Sequence, residues 1–465
     1  MTLIAPEVQA IIDELRRDNA ELRRENAELR ARLARFEGQP PTDPSTPSGM
    51  TPPYLKQKKK KGKRPGREQG HTGARRATPK VVNNHEHHPL THCPDCGTRV
   101  TAVATSTRTR ITEDIAPPAE PEVTGHTIEQ GWCSKCKKRV EAKVDAALPR
   151  CTLGLRVTLL TAWMHYVIGT TGHAVVKYLR RVHQFTVTAG GLTQTWSTLA
   201  AALKPLHDAI FEEIKHAGVL YADETSWRVG GQTFWLWCFT TKTAAYYVID
   251  RTRGSPVVRR ILGESFAGVL VSDFYAAYGF VCAAAKQKCL AHLLRELEKV
   301  SLRNDSAEWS GFATKVKRLL KDALRLGLER KKLADDEYDR RWRRLYDRLS
   351  AIHDGVYWDK DCVRLSKRLA NYRFELFAFL ERDNVDATNN HGERTIRPAV
   401  QMRKNYYGNR SERGAEVQAE LMSIFRTLEM RGVDPLEYLE RSLRDHLGHR
   451  APLTLPVMRE DKAAA

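Results

Sequence analysis

Three acids stand where solvation alone does not explain them. Asp223 closes the apolar run "GVLYAD" and Asp273 closes "GVLVSD". Glu393 lies in "ATNNHGERTIRPAVQMRKNYYG", among His391, Arg394, Arg397, Arg403 and Lys404. Two carboxylates at the ends of neighbouring strands repel each other unless a cation sits between them. A hard divalent cation with oxygen ligands, Mg²⁺ first and Mn²⁺ as its substitute, meets that need. Either aspartate alone could equally cap a helix or accept turn hydrogen bonds. Glu393 also has a plainer reading, as the third residue after an Asn390 N-cap. Arg397, four residues on, would share its helix face. Pro398 predicts a kink or a new helix start.

A second cluster is built of cysteines. Cys93/Cys96 and Cys133/Cys136 follow C-x2-C-x36-C-x2-C, since 133 − 96 − 1 = 36. Two such knuckles suit one tetrahedral, structural Zn²⁺ with no position left open for chemistry. "TRTRITEDI" and "PEVTGHTIEQGW" read as strands that would bring the knuckles together, and His85, His87, His88 and His92 are rival ligands. Nine cysteines, odd in number and scattered, argue against a disulfide framework and for a reducing, cytoplasmic setting.

The acids need a sheet to place them. "GVLYADETSWRV", "QTFWLWCFTT" and "AAYYVIDRTR" are three strand-like runs, with "VGGQ" as a tight turn. The helical "PVVRRILG" precedes a fourth strand, "GVLVSDFYAAYG". A fifth, "QKCLAH", leads into the helix "LLRELEKV". The order implies a mixed sheet with helices packed on it, an α/β RNase H-like core. That core takes residues 217–303 and 386–430, interrupted by a charged helical insertion over 304–385 and followed by a C-terminal helix and tail over 431–465. His292 is placed for substrate contact or as a satisfied core histidine. Trp235 and Trp237 could stack on an unpaired base or fill the strand core.

The remaining segments are about partners. Residues 1–37 carry a heptad seam, with Val8, Leu15, Leu22, Leu29 and Phe36 at d and Ile12, Asn19, Asn26 and Leu33 at a. This predicts a coiled coil that makes a homodimer or higher oligomer, in register because of the buried asparagines. Residues 38–80 are a linker, Pro-rich and then basic. Lys58, Lys59, Lys60, Lys61, Lys63, Arg64 and Arg67 would form a phosphate-binding arm there. Residues 81–147 form the zinc segment. Residues 150–216 read as a helical DNA-binding domain, in which "AVVKYLRRVH" and "TAGGLTQTWSTLAAAL" have helix–turn–helix rhythm. The formal charge of +20 favours a polyanion. No run reaches the ~18 apolar residues of a spanning helix, and the first residues do not read as a signal peptide.

"YADETSW", "SDFYAAYG", "CLAHLLREL" and "NNHGERTIRPAVQMRKN" together resemble the insertion-sequence-66 group of DDE transposases, over roughly residues 60–430. The resemblance implies Asp223, Asp273 and Glu393 as the catalytic triad and metal ligands, holding two Mg²⁺ (or Mn²⁺) ions. It also implies roles at the site for Arg394, Arg397, Arg403 and Lys404. The activity implied is cleavage of transposon ends, then joining of the 3′-hydroxyls to target DNA by two-metal-ion phosphoryl transfer without a covalent protein intermediate. DNA would be the partner, with accessory proteins of the same element, in a nucleoid-associated protein. A catalytically inactive zinc and zipper DNA-binding regulator derived from such an enzyme is the other class compatible with these segments.

Overall fold

The computed structural model describes residue 79 and residues 81–100, 108–115 and 120–457. The expected coiled coil and the basic arm from Lys58 to Arg67 lie outside the described residues. The chain divides into two compact units, the second beginning at Glu120.

In the first unit, Cys93 and Cys96 sit in a tight turn. The Cys93 amide donates to Thr98 O (2.8 Å), and Gly97 turns the chain at φ 73°. Residues 108–115 are irregular, as are 120–129 in the second unit. The alternating patterns there predicted strands, but Ile115 and Val123 are each 90% exposed. An alternating run with no surface to bury its apolar side has nothing to hold it extended.

The second unit opens with a hairpin, β1 (Gln130–Cys133) and β2 (Lys138–Glu141), whose turn carries Cys136. Four helices follow: α1 (Leu155–Tyr166), α2 (Gly172–His183), α3 (Ala189–Ala202) and α4 (Lys204–Lys215). Thr171 and Thr188 cap α2 and α3 by accepting from the amides of Ala174 and Gly191.

A five-stranded sheet comes next, in the order β5-β4-β3-β6-β7. β3 (Val219–Val229) and β4 (Gln232–Thr240) form an antiparallel hairpin, turned by Gly230 and Gly231 at positive φ. β5 (Ala245–Asp250) continues it. Helix α5 (Ser255–Leu262) crosses over to β6 (Ser265–Ser272), which lies parallel to β3. β7 (Cys282–Lys288) lies parallel to β6. The fifth strand thus ends at Lys288, earlier than "QKCLAH" suggested, and the piece before it is a short 3₁₀ turn, Ala276–Phe280. Cys289 is already the N-cap of α6 (Leu290–Ser301).

The expected insertion is helical: α7 (Ala307–Glu329), α8 (Asp335–His353), α9 (Lys360–Asn371) and the short α10 (Ala378–Glu381). Its Trp309, Phe312, Leu319 and Leu365 share one apolar core with Val269 and Val271 of the sheet and Leu293 and Leu297 of α6. The other core joins α1–α4, most of the sheet, and α11 (Asn390–Tyr406), α12 (Glu412–Met430) and α13 (Pro435–His449). β5 is one edge of the sheet, and α12 covers it. Ser423 Oγ and Thr427 Oγ1 accept from the amides of Tyr247 and Ala245, which a free edge would leave open.

Candidate active site

Register brings the first two acids level. Tyr221 of β3 faces Val271 of β6; two residues further along the chain are Asp223, still on β3, and Asp273, just past the end of β6. Asp223 is inside its strand rather than at its end, because β3 runs on through the hairpin to Val229. The parallel partner β6 does end there, so both carboxylates stand where the sheet opens. The Glu224 amide donates to Asp223 Oδ1 (2.9 Å) and the Tyr275 amide to Asp273 Oδ1 (2.8 Å). Among the described residues no Lys or Arg forms an ion pair with either acid. Burial, followed by the neighbouring Glu224 and Asp273 and then Glu393, holds the Asp223 carboxyl well above the usual carboxylate range.

Glu393 arrives on α11. That helix starts one residue earlier than the Asn390 cap predicted, with Asn389 at N-cap. Asn389 makes no capping hydrogen bond. It is fully buried, its side-chain amide donating to Ala222 O (2.9 Å) and its backbone amide to Cys289 Sγ (3.1 Å). The asparagine therefore ties the start of α11 to the residue before Asp223. Gly392 is required beside it, since a Cβ there would lie 2.7 Å from Asn389 Oδ1. α11 continues through Pro398, without the new start expected there. Glu393 Oε1 accepts from Arg295 Nη2 (2.7 Å) and lies 3.5 Å from His292 Nδ1. Among the described residues, the potential metal ligands whose donor atoms approach within 4.8 Å of one another are Cys289, His292 and Glu393; the three acids do not close to that spacing. Burial, and secondly Arg295, lower the affinity of His292 for a proton.

Several residues that the sequence reading did not single out hold this site. Glu224, next to Asp223, is 2% exposed in its side chain. It accepts from Arg253 Nη2 (2.8 Å) and Tyr278 Oη (2.5 Å). The Arg253 guanidinium also lies over Trp235 (4.6 Å) and Tyr275 (4.2 Å). This network fixes the turn that follows Asp273. Lys288, 1% exposed, donates to Asp273 O (3.0 Å) and Ser272 Oγ (3.1 Å), and burial lowers its basicity. The doublet Asp223-Glu224 and the Cys289-x2-His292 spacing were the available signals; Arg253 and Lys288 carried none.

The other expected site residues divide. Arg394, Arg397 and Lys404 are exposed on α11. Arg403 is half-buried, donating to Ser226 O (2.6 Å) and Thr225 Oγ1 (3.0 Å). Trp237 is fully buried against Phe239 and Tyr278, so it belongs to the core and has no face for a base. The ring of Trp235 is taken by Arg253. The Cys136 amide lies 3.4 Å from Cys133 Sγ, and Lys137 turns that knuckle at φ 50°.

Residues 152–417, a stretch that contains all three acids, match the family described as "Transposase IS66 family". The chain belongs to that family. A protein of Sinorhizobium fredii described as "Uncharacterized protein y4qI" is 27% identical over 288 residues, covering 54% of this chain and 52% of the relative. A second from that organism, "Uncharacterized protein y4jD", is 24% identical over 282 residues, covering 54% of each. The chain thus spans about half the length of the curated relatives it matches. Within this IS66-family chain no helix among the described residues is long and apolar enough to cross a membrane.

Proposed function

We propose that this IS66-family chain is a DDE transposase that cuts the ends of an insertion sequence and joins the freed 3′-hydroxyls to target DNA. The observation that carries the reading is the level placement of Asp223, on β3, and Asp273, just past the end of its parallel partner β6, with no Lys or Arg among the described residues ion-paired to either carboxylate. The strand order, three antiparallel strands followed by two parallel ones, supports an RNase H-like assignment for the sheet.

The donor set fits a hard divalent cation: oxygen ligands only, one of them a carboxyl that desolvation and like charge penalise when ionised. Asp223, Asp273 and Glu393 would hold Mg²⁺ or Mn²⁺. Bound there, the metal supplies Lewis-acid polarisation of the scissile phosphodiester and lowers the pKa of water. The chain's own part is placement. β3 and β6 fix the two aspartates. Asn389 fixes the start of α11, and Glu393 with it. Arg295 orients the Glu393 carboxylate by donating to its Oε1. Arg394, next to Glu393, and Arg397, one turn beyond, are exposed and would take DNA phosphates.

The test is a Mg²⁺-dependent nicking assay on the DNA flanking the gene, with wild type and Asp273→Asn side by side. Cleavage by wild type alone is the expected result. Equal products from both, or none from either, would sink the enzyme reading and leave the DNA-binding regulator.

A further inference from the structure

Beyond the acids, α11 carries a second feature. Arg394, Arg397, Gln401 and Lys404 are exposed at spacings of three and four, so they form one stripe running away from Glu393. At ~1.5 Å per residue the stripe from Arg394 to Lys404 is ~15 Å long, about four steps of a DNA strand. Among the described residues none of its three cations forms an ion pair, whereas Arg253, Arg295, Arg364 and Arg368 all do.

The stripe leads to a recess of about 420 Å³ beyond the end of α11, lined by Arg228, Gly230, Gly231, Tyr407, Gly408 and Arg410 among others. Its walls are tied to each other by hydrogen bonds. Residues Val229 and Asn409 form a parallel bridge, the Gly230 amide donates to Asn409 O (2.9 Å), and Trp227 Nε1 donates to Asn409 Oδ1 (2.7 Å). A Cβ on Gly408 would lie 2.1 Å from Arg228 O, so only glycine lets these two turns meet. Tyr407 ends the helix with φ 62° and is 78% exposed. Glycine or asparagine is the usual residue at such a left-handed helix end. Gln184 and Arg450 end α2 and α13 in the same conformation, so what sets Tyr407 apart is an exposed aromatic side chain beside the recess.

We propose that this recess receives a nucleobase unstacked from a DNA strand whose phosphates follow Arg394, Arg397 and Lys404. Tyr407 supplies the stacking face, and Arg228 and Arg410 meet the flanking phosphates. The inference rests on the DNA-cleaving reading above. It places the base near one end of α11 and the reacting phosphate near the other.

Fluorescence anisotropy of the full chain with two fluorescein-labelled probes tests it. One is a blunt 20-base-pair duplex, and the other is the same duplex with three unpaired thymines at one end. Wild type should bind the thymine-tailed probe about tenfold more tightly. Tyr407→Ala should abolish that difference and leave blunt-duplex binding unchanged, and Tyr407→Phe should keep the difference. Lys404→Ala should weaken both probes alike. If wild type binds both probes equally, or Tyr407→Ala keeps the preference or weakens both equally, the recess is not a base site, while the transposase reading stands. If wild type binds neither probe, the DNA reading itself fails. The exposure of Tyr407 makes the alanine variant tolerable to the fold, and an unchanged melting temperature confirms it.

Discussion

Glu296 and Asp223 are both acids withdrawn from water, and the chain treats them oppositely. Glu296, on α6 beneath the helical insertion, is 7% exposed and is gripped by two cations from α9. Arg364 donates to its Oε1 at 2.6 Å and Arg368 to its Oε2. Asp223 receives one backbone amide and faces other carboxylates. A buried charge costs several kcal/mol unless paired. Glu296 has its pairs built in, so its charge is structural, locking the insertion to the core. Asp223 carries its cost in the metal-free chain, so its compensation has to come from outside.

The largest difference to break is in activity. Asp223→Asn should lower metal-dependent cleavage by on the order of 10³-fold or more, the worth of several kcal/mol of charge stabilisation. Glu296→Gln should leave cleavage by the folded fraction within a few-fold. Comparable losses in single-turnover cleavage would erase the distinction.

Stability should show the reverse ranking. Glu296→Ala leaves Arg368 without its acid and Arg364 with Asp361 alone, and should cost about 2 kcal/mol, read as a lower urea midpoint. Asp223→Asn should stabilise the metal-free chain at neutral pH by about 1 kcal/mol, a shift of ~2–4 °C. The sign follows from the raised carboxyl. Below the ordinary value near 3.8 the group is protonated folded or unfolded, so it costs nothing. As pH rises above that value the unfolded chain ionises more readily, and the wild type loses stability relative to the variant. The melting-temperature gap should therefore close in acid and open toward neutrality. A gap of opposite sign would mean Asp223 has a cationic partner after all.

Part of this was legible in the residues alone. Apolar runs ending in Asp223 and Asp273 gave strands and near-level acids, because a buried strand is a run of β-branched and aromatic side chains whatever its neighbours. The insertion's helices were legible from their apolar period. What failed needed partners distant in sequence. Asn389 rather than Asn390 is the N-cap of α11, because the deciding contact is Ala222 O, 167 residues away. Arg253 belongs to Glu224 only because the turn after β5, two strands away from β3, folds its guanidinium back over Trp235 and Tyr275. Residues 108–115 and 120–129 alternate like strands, but among the described residues no apolar surface covers Ile115 or Val123. Trp237 was a candidate for stacking on a base until the sheet buried it.

The most direct measurement is Mn²⁺ binding to the full chain, followed by the loss of the free-ion electron paramagnetic resonance signal, in wild type, Asp223→Asn and Glu296→Gln. The account predicts that wild type and Glu296→Gln bind alike and that Asp223→Asn loses the sites. Undiminished binding by Asp223→Asn would contradict it.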